Sequence, residues 1–242
     1  MLASFLRAVW STWQRQRVID ISDEYTTWLS YGNAGFLDPG NLYCFDFAMR
    51  NLADDSPLLE IGTFCGFSAN LLTYYKARYG RSNRLITTDP WRFQEMSEVL
   101  RLDLPQPQPL SRESFRQFIK ESYRRNVECF SSFDLPYTVE LASNDFFVAW
   151  RQQQRTTDVL GRSLQLGGPI SFVYIDGDHS YKQTYQDFLN CDRHLVPGGF
   201  ILFDDSADGS DWEVCDVVRQ VQRHPNYELV LKNPNYFFMK RR

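Results

Sequence analysis

The fold class predicted from the sequence is a doubly wound α/β sandwich, with a seven-stranded sheet that is mostly parallel and closes in an antiparallel C-terminal hairpin. Two observations carry this. From Pro57 onward, short apolar runs each end in an acid or a small residue, and most are followed by a helical stretch, the βα alternation of a parallel sheet. The last two runs instead stand back to back across Asn233-Pro234, with no room for a crossover helix between them. The strands are placed at 58–61, 84–88, 137–141, 171–175, 200–203, 227–232 and 235–239, with helices between the first five. Near-continuous apolar character in the early strands fits burial on both faces. Ligands of such sheets bind beyond the carboxyl ends of the strands, so the residues just past each strand are the candidates for function.

Composition narrows the field. At 242 residues with 43% hydrophobic and 23% charged positions, the chain suits one domain, two at most, with enough apolar mass to fold alone. Lys+Arg 26 against Asp+Glu 30 leaves a net charge of -4, which argues against general nucleic-acid binding. Five widely spaced cysteines form no CxxC or CxxH pair, so reduced thiols are expected and a zinc site is not. Residues 1–13 place apolar side chains at helical spacing, but Arg7 interrupts them and no basic region precedes them, a poor match to a signal peptide. No apolar run approaches the roughly 20 residues of a membrane helix. A cytoplasmic protein is expected, its N-terminal helix packing on its own domain or on a twin subunit in a homodimer.

Three textures divide the chain. Residues 1–53 read as helices joined by the Gly-rich loop 31–40, a helical cap and substrate lid over a main domain at 54–242. An insertion at 91–133 breaks the βα rhythm with a Pro-rich stretch, 104–110, and then a helix at 111–130. That helix carries Phe115, Phe118, Ile119, Val127 and Phe130 on one face and Arg112, Arg116, Lys120 and Arg124 on another. The basic stripe reads most simply as solvated; the functional alternative is a clamp for an anionic substrate or partner.

The run from Leu58 to Ser68 gives a strand, a turn with Gly62 and Gly66, and a helix start. Glycines there let the backbone approach a ligand closely, and the helix start offers amides to an anion. The spacing is E-x-G-x-x-x-G, so neither the dinucleotide fingerprint nor a Walker A loop is formed. Strand two ends at Asp89, placed either to accept both hydroxyls of a ribose or simply to make a turn before Pro90. After strand three, Ser143 and Asn144 offer donors and acceptors to a base, or cap the next helix. Strand four ends at Asp176 and strand five at Asp204 and Asp205. Three carboxylates at neighbouring strand ends repel one another unless protonated or neutralised, which predicts a cation. Hard oxygen donors favour Mg²⁺, with Mn²⁺ or Ca²⁺ as substitutes. The alternative is that these acids only cap helices and bind cofactor groups.

With these motifs in this order, the chain resembles the class I S-adenosylmethionine-dependent methyltransferases, a Rossmann-like family. The run Glu60 to Ser68 is especially similar to the first motif of the metal-dependent, catechol O-methyltransferase-like branch, and the later motifs to bacterial methyltransferases of sugars and natural-product hydroxyls. The resemblance implies that Glu60, Gly62, Thr63, Gly66 and Ser68 hold the methionine end of S-adenosylmethionine, that Asp89 binds its ribose, and that Ser143 and Asn144 flank adenine. It also implies that Asp176, Asp204 and Asp205 hold the ion, with Asp176 serving cofactor and catalysis as well. Where the catechol enzymes have a lysine base, three residues past Asp176, this chain has His179. Imidazole accepts a proton near neutral pH without the large pKa shift a lysine needs, and Asp178 is its competitor. Where those enzymes place a further acid near the last hairpin, this chain has Asn233 and Asn235, which speaks against a catechol. The expected activity is methyl transfer to a hydroxyl of a small natural product or sugar-containing metabolite. The alternatives are a metal-independent O- or N-methyltransferase and a non-catalytic partner subunit of a tailoring enzyme. His194 and His224 are expected to be solvated helix-end residues and Cys65 a small buried one.

Overall fold

The computed structural model describes residues 18–93, 99–101 and 109–242. The 1–13 helix and most of the Pro-rich stretch therefore lie outside the described residues. Helices α1 (Glu24–Gly32) and α2 (Gly40–Asn51) precede β1 (Leu58–Ile61), α3 (Phe67–Arg78) and β2 (Leu85–Thr88). A short hairpin of β3 (Val99–Arg101) and β4 (Pro109–Ser111) leads into α4 (Arg112–Phe130), β5 (Tyr137–Val139) and α5 (Ser143–Arg151). A second hairpin, β6 (Arg155–Thr157) and β7 (Ser163–Gln165), precedes β8 (Ile170–Ile175) and α6 (Tyr181–Asp192). The chain ends with β9 (Leu195–Phe203), α7 (Val214–Arg223), β10 (Tyr227–Lys232) and β11 (Tyr236–Lys240).

Seven strands form one sheet in the order β10-β11-β9-β8-β1-β2-β5. All neighbours from β9 to β5 are parallel, and β11 runs antiparallel to both β9 and β10. The fold class is as the sequence predicts. Alternate strand residues fill two cores: Leu59, Ile61, Val173 and Ile201 pack with α5, α6 and α7, while Leu58, Phe172, Tyr174 and Leu202 pack with α1 to α4. A buried Leu or Phe contributes roughly 1.5–3 kcal/mol, so two-sided burial explains why these strands carry so few polar residues. Among the described residues, no helix is long and apolar enough to cross a membrane.

Some expectations need correction. The β3–β4 and β6–β7 hairpins were not legible, because three-residue strands give too short a pattern to register. On α4 the buried residues are Ile119, Tyr123 and Val127, whereas Phe118 is exposed. Nor is the basic stripe merely solvated: Arg116 and Lys120 both pair with Glu140, just past β5, and Arg124 pairs with Glu121. His194 is partly buried against Phe147 and Trp150, and its carbonyl accepts from Ile170 N at the start of β8, the end of the sheet opposite the candidate site. His224 is the C-cap of α7. The five cysteines are free, with Cys65 buried.

Candidate functional site

Strand order reverses between β1 and β8, and there the parallel ladder continues one residue beyond each strand. Asp204 N donates to Ile175 O (2.9 Å), Asp176 N to Ile61 O (2.8 Å), Gly62 N to Thr88 O (2.9 Å) and Asp89 N to Val139 O (3.3 Å). Backbone hydrogen bonds thus bring Asp204, Asp176, Gly62 and Asp89 to one edge, at the place where ligands of doubly wound sheets bind. Gly62 is also required by packing: with φ 83°, an added Cβ would collide with the Asp176 carbonyl.

The turn after β1 is built around two acids. Asp89 Oδ2 accepts from Thr63 N (2.8 Å) and Phe64 N (3.0 Å), while its Oδ1 accepts from Trp91 N (2.6 Å). A carboxylate has about four lone-pair sites, so Asp89 retains capacity for a hydroxyl donor. Burial raises its pKa, opposed by the three amides. Glu60 is fully buried, Ser68 donates its hydroxyl to Glu60 Oε1, and Oε2 is buried without a hydrogen-bond partner. Burial pushes the Glu60 carboxyl up to about 8, with the Ser68 bond opposing and Asp89 adding to the rise. Protonated near neutral pH and with Oε2 unpartnered, Glu60 is an acid that a cationic ligand group at this strand end would draw into its carboxylate form.

The raised Glu60 pKa has a sign that can be tested. Folding holds its proton, so below the unfolded value of 4.5 the group costs nothing, and stability falls as pH rises from there to about 8. Glu60→Gln is expected to match wild type near pH 4.5 and to exceed it by on the order of 4 kcal/mol at pH 8. Denaturant unfolding of both proteins across that range reads the difference; a gap independent of pH would contradict a buried, protonated Glu60.

Ser143 and Asn144 do not cap α5, whose N-cap is Ala142 without a side-chain bond. They face α6 instead: Gln183 Nε2 donates to Ser143 Oγ (3.0 Å), and Asn144 Nδ2 donates to Gln183 Oε1 (3.1 Å).

At the β8 and β9 ends the structure gathers Asp176, His179 and Asp205, each offering a ligand atom within 4.8 Å of the others. His179 Nδ1 lies 3.3 Å from Asp205 Oδ2, and Nε2 lies 3.7 Å from Asp176 Oδ1. Trp212 meets the imidazole edge-on at 4.7 Å. Asp205 adopts φ 53°, a strained left-handed backbone for a non-glycine residue. Asp204 stands beside this trio, its Oδ1 accepting from Asn41 Nδ2 (2.6 Å) and Asn235 Nδ2 (2.6 Å). Burial, then the charges of Asp204, Glu60 and Asp205, drive the Asp176 pKa well above the carboxylate range. Among the described residues, no lysine or arginine forms an ion pair with Asp176, Asp204 or Asp205. A concentrated negative charge built from hard oxygens with an imidazole alongside fits a divalent cation.

Sequence reasoning missed Asn41 and Trp212, and it named Asn233 and Asn235 at the last hairpin without their partners. Asn41 and Asn235 are buried and hold Asp204, while Asn233 is tied to Ile19 and Gly40, so neither hairpin asparagine is free to contact an acceptor in the way the catechol family's acid does. Asp38, in the loop between α1 and α2, is raised by burial and by Asp205 nearby. Trp212 had no signal at all, because a loop tryptophan belongs to no motif.

The family described as "Methyltransferase domain" matches residues 59–206. No curated protein is a significant match to the sequence. Similar solved structures include an O-methyltransferase from Bacillus cereus in complex with SAH, 16% identical with a TM-score of 0.54, covering 91% of this chain and 92% of that one. TomG from Streptomyces achromogenes, an O-methyltransferase of tomaymycin synthesis solved with SAM, is 14% identical with a TM-score of 0.53, covering 93% and 92%. The SAH-bound Podospora anserina methyltransferase PaMTH1 is 13% identical with a TM-score of 0.56, covering 98% and 96%. These likenesses share the fold, and the match over residues 59–206, from β1 to just past β9, makes the chain a member of the methyltransferase-domain family.

Proposed function

We propose that the protein transfers the methyl group of S-adenosylmethionine to a hydroxyl of a small-molecule acceptor, a natural product or sugar-containing metabolite, with Mg²⁺ or a related divalent ion at Asp176, Asp204 and Asp205. The observation that carries this reading is the alignment of Asp89, Gly62, Asp176 and Asp204 along one ladder edge, with Glu60 unsatisfied beneath it. Bound SAH and SAM in the structural neighbours support the choice of donor. When bound, the donor supplies an activated methyl group and the ion supplies positive charge that acidifies a hydroxyl.

The chain's own residues do the orienting. Asp89 accepts the ribose hydroxyls, Ser143 and Asn144 border the base, and Glu60 with Gly62, Thr63, Gly66 and Ser68 receives the amino-acid end. His179 directs Nδ1 at Asp205, which leaves Nε2 on the Asp176 side to take the acceptor's proton. Asp178 is the weaker candidate as base, because its Oδ1 accepts from Ser180 N (2.8 Å) at the start of α6. In this reading the described parts of the N-terminal segment and of the insertion, residues 18–53 and 111–133, cover the reacting centre and exclude water. Fixing donor and acceptor in line can account for roughly 7–11 kcal/mol of barrier lowering in favourable cases, so little covalent work is asked of side chains.

Calorimetric titration of metal-stripped protein with S-adenosylhomocysteine, and then with Mg²⁺ or Mn²⁺, tests this. Wild type is expected to bind both, and Asp205→Ala to keep the nucleoside while losing the metal heat. Folded wild-type protein that ignores S-adenosylhomocysteine would overturn methyl transfer. Turnover that persists undiminished in chelator would instead favour the metal-independent reading, in which Asp204 serves only to tie Asn41 to Asn235.

A further inference from the structure

The turn after β1 is left-handed at Gly62 (φ 83°), Phe64 (φ 42°) and Gly66 (φ 85°). A non-glycine residue stays in that region only where its surroundings over-determine it. Part of the restraint is local: Thr63 N and Phe64 N donate to Asp89, and Gly66 N donates to Thr63 O (2.7 Å). The Cys65 carbonyl lies between the two left-handed residues Phe64 and Gly66, and it accepts two side-chain amides. Asn33 Nδ2 reaches it at 3.0 Å and Asn126 Nδ2 at 2.9 Å.

These two asparagines arrive from elements that look like accessories. Asn33 is the C-cap of α1, and Asn126 lies on α4 within the insertion. Asn33 is itself locked, 1% exposed, with Oδ1 accepting from Asn70 Nδ2 (2.7 Å), while Asn70 Oδ1 accepts from Ser131 Oγ. No polar atom of the Asn33 side chain is left to meet a ligand: Nδ2 also donates to Ala34 O (3.0 Å). The clamp therefore acts on the turn from behind.

We propose that Asn33 and Asn126 are positioning residues of the cofactor-binding turn, clamping the Cys65 carbonyl so that the turn is held in its receiving conformation before the donor arrives. This rests on the methyl-transfer reading and extends it: the N-terminal segment and the insertion become part of the cofactor site as well as its cover. A preformed turn leaves less ordering to be done on binding, so loosening it weakens affinity without removing any ligand contact.

The test uses the full chain and S-adenosylhomocysteine as probe, at a temperature well below the unfolding midpoint of every variant. Asn126→Ala, on the partly solvated side of the clamp, and Asn33→Ser are each expected to weaken binding roughly tenfold, the scale of one lost hydrogen bond. Amide hydrogen exchange at residues 63–66 is expected to quicken in both. If Asn33→Ser fails to fold, Asn126→Ala alone decides. Affinity within about twofold of wild type in the folded variant overturns the proposal. So does weakened affinity with unchanged exchange in the turn, because the effect would then arise elsewhere. Wild-type protein that does not bind the probe overturns the methyl-transfer reading instead, and the two failures are thereby distinguished.

Discussion

Asp89→Ala is expected to weaken S-adenosylhomocysteine binding by on the order of a thousandfold, the largest cofactor effect of any single substitution in this site. Two losses combine. The carboxylate that would accept the ribose hydroxyls is gone, and charged hydrogen bonds contribute about 1.5–3 kcal/mol each. In addition, Thr63 N, Phe64 N and Trp91 N lose their acceptor together, which frees the turn between β1 and α3 from the end of β2. Orphaned buried donors cost about 1–3 kcal/mol apiece, so a lower unfolding midpoint should accompany the weaker binding. Asp89→Asn separates the terms: it keeps one oxygen but turns an NH₂ toward amide donors, and should fall between wild type and alanine. Calorimetry with S-adenosylhomocysteine and thermal unfolding of all three proteins read both effects. Alanine-variant affinity within about tenfold of wild type would refute Asp89 as both ribose ligand and turn anchor.

Legibility in the sequence followed the reach of the interactions. The acids at the ends of β2, β8 and β9 were readable because a parallel sheet places the residue after each strand at a shared edge, and strand ends announce themselves where an apolar run meets a charge. Asp89, Asp176, Asp204 and Asp205 are of that kind. Asn41 and Asn235 are not, since their partner Asp204 lies 163 and 31 residues away and no local pattern marks a buried amide aimed at a carboxylate. The same holds for Asn33 and Asn126, which meet Cys65 from 32 and 61 residues off. The helix-cap alternative for Ser143 and Asn144 failed for a related reason. Ser-Asn after a strand is a common helix start, but here the helix begins one residue earlier, at the Ala142 cap, and both side chains turn to α6. Phe118 was assigned to the apolar face of α4 by spacing alone, while Tyr123, which does fill the core there, was passed over because a tyrosine carries a polar tip. That tip bonds the Thr138 hydroxyl.

His179→Ala is expected to lower kcat by about 10²–10⁴, the usual contribution of a positioned general base, while leaving S-adenosylhomocysteine affinity unchanged. The geometry that motivates this also poses a sharper question. The imidazole lies between Asp205 and Asp176, close enough to both that it belongs to the same set of ligand atoms as the carboxylates. A base and a metal ligand make different demands: the base needs one ring nitrogen free, the ligand commits it. Asp205 Oδ2 lies by Nδ1 and Nε2 faces the Asp176 side, with Trp212 packed against the ring, an arrangement that suits proton acceptance from a hydroxyl held at the acids. If that is the role, His179→Ala should retain Mn²⁺ affinity, and added imidazole or higher pH should restore part of the lost rate. A fall in Mn²⁺ affinity that parallels the fall in kcat, with no recovery by imidazole, would place His179 among the ligands and move the base to Asp178. Because Asp178 is already held by Ser180 N, Asp178→Asn in the same assay should then cost as much as His179→Ala, and on the present reading it should cost far less.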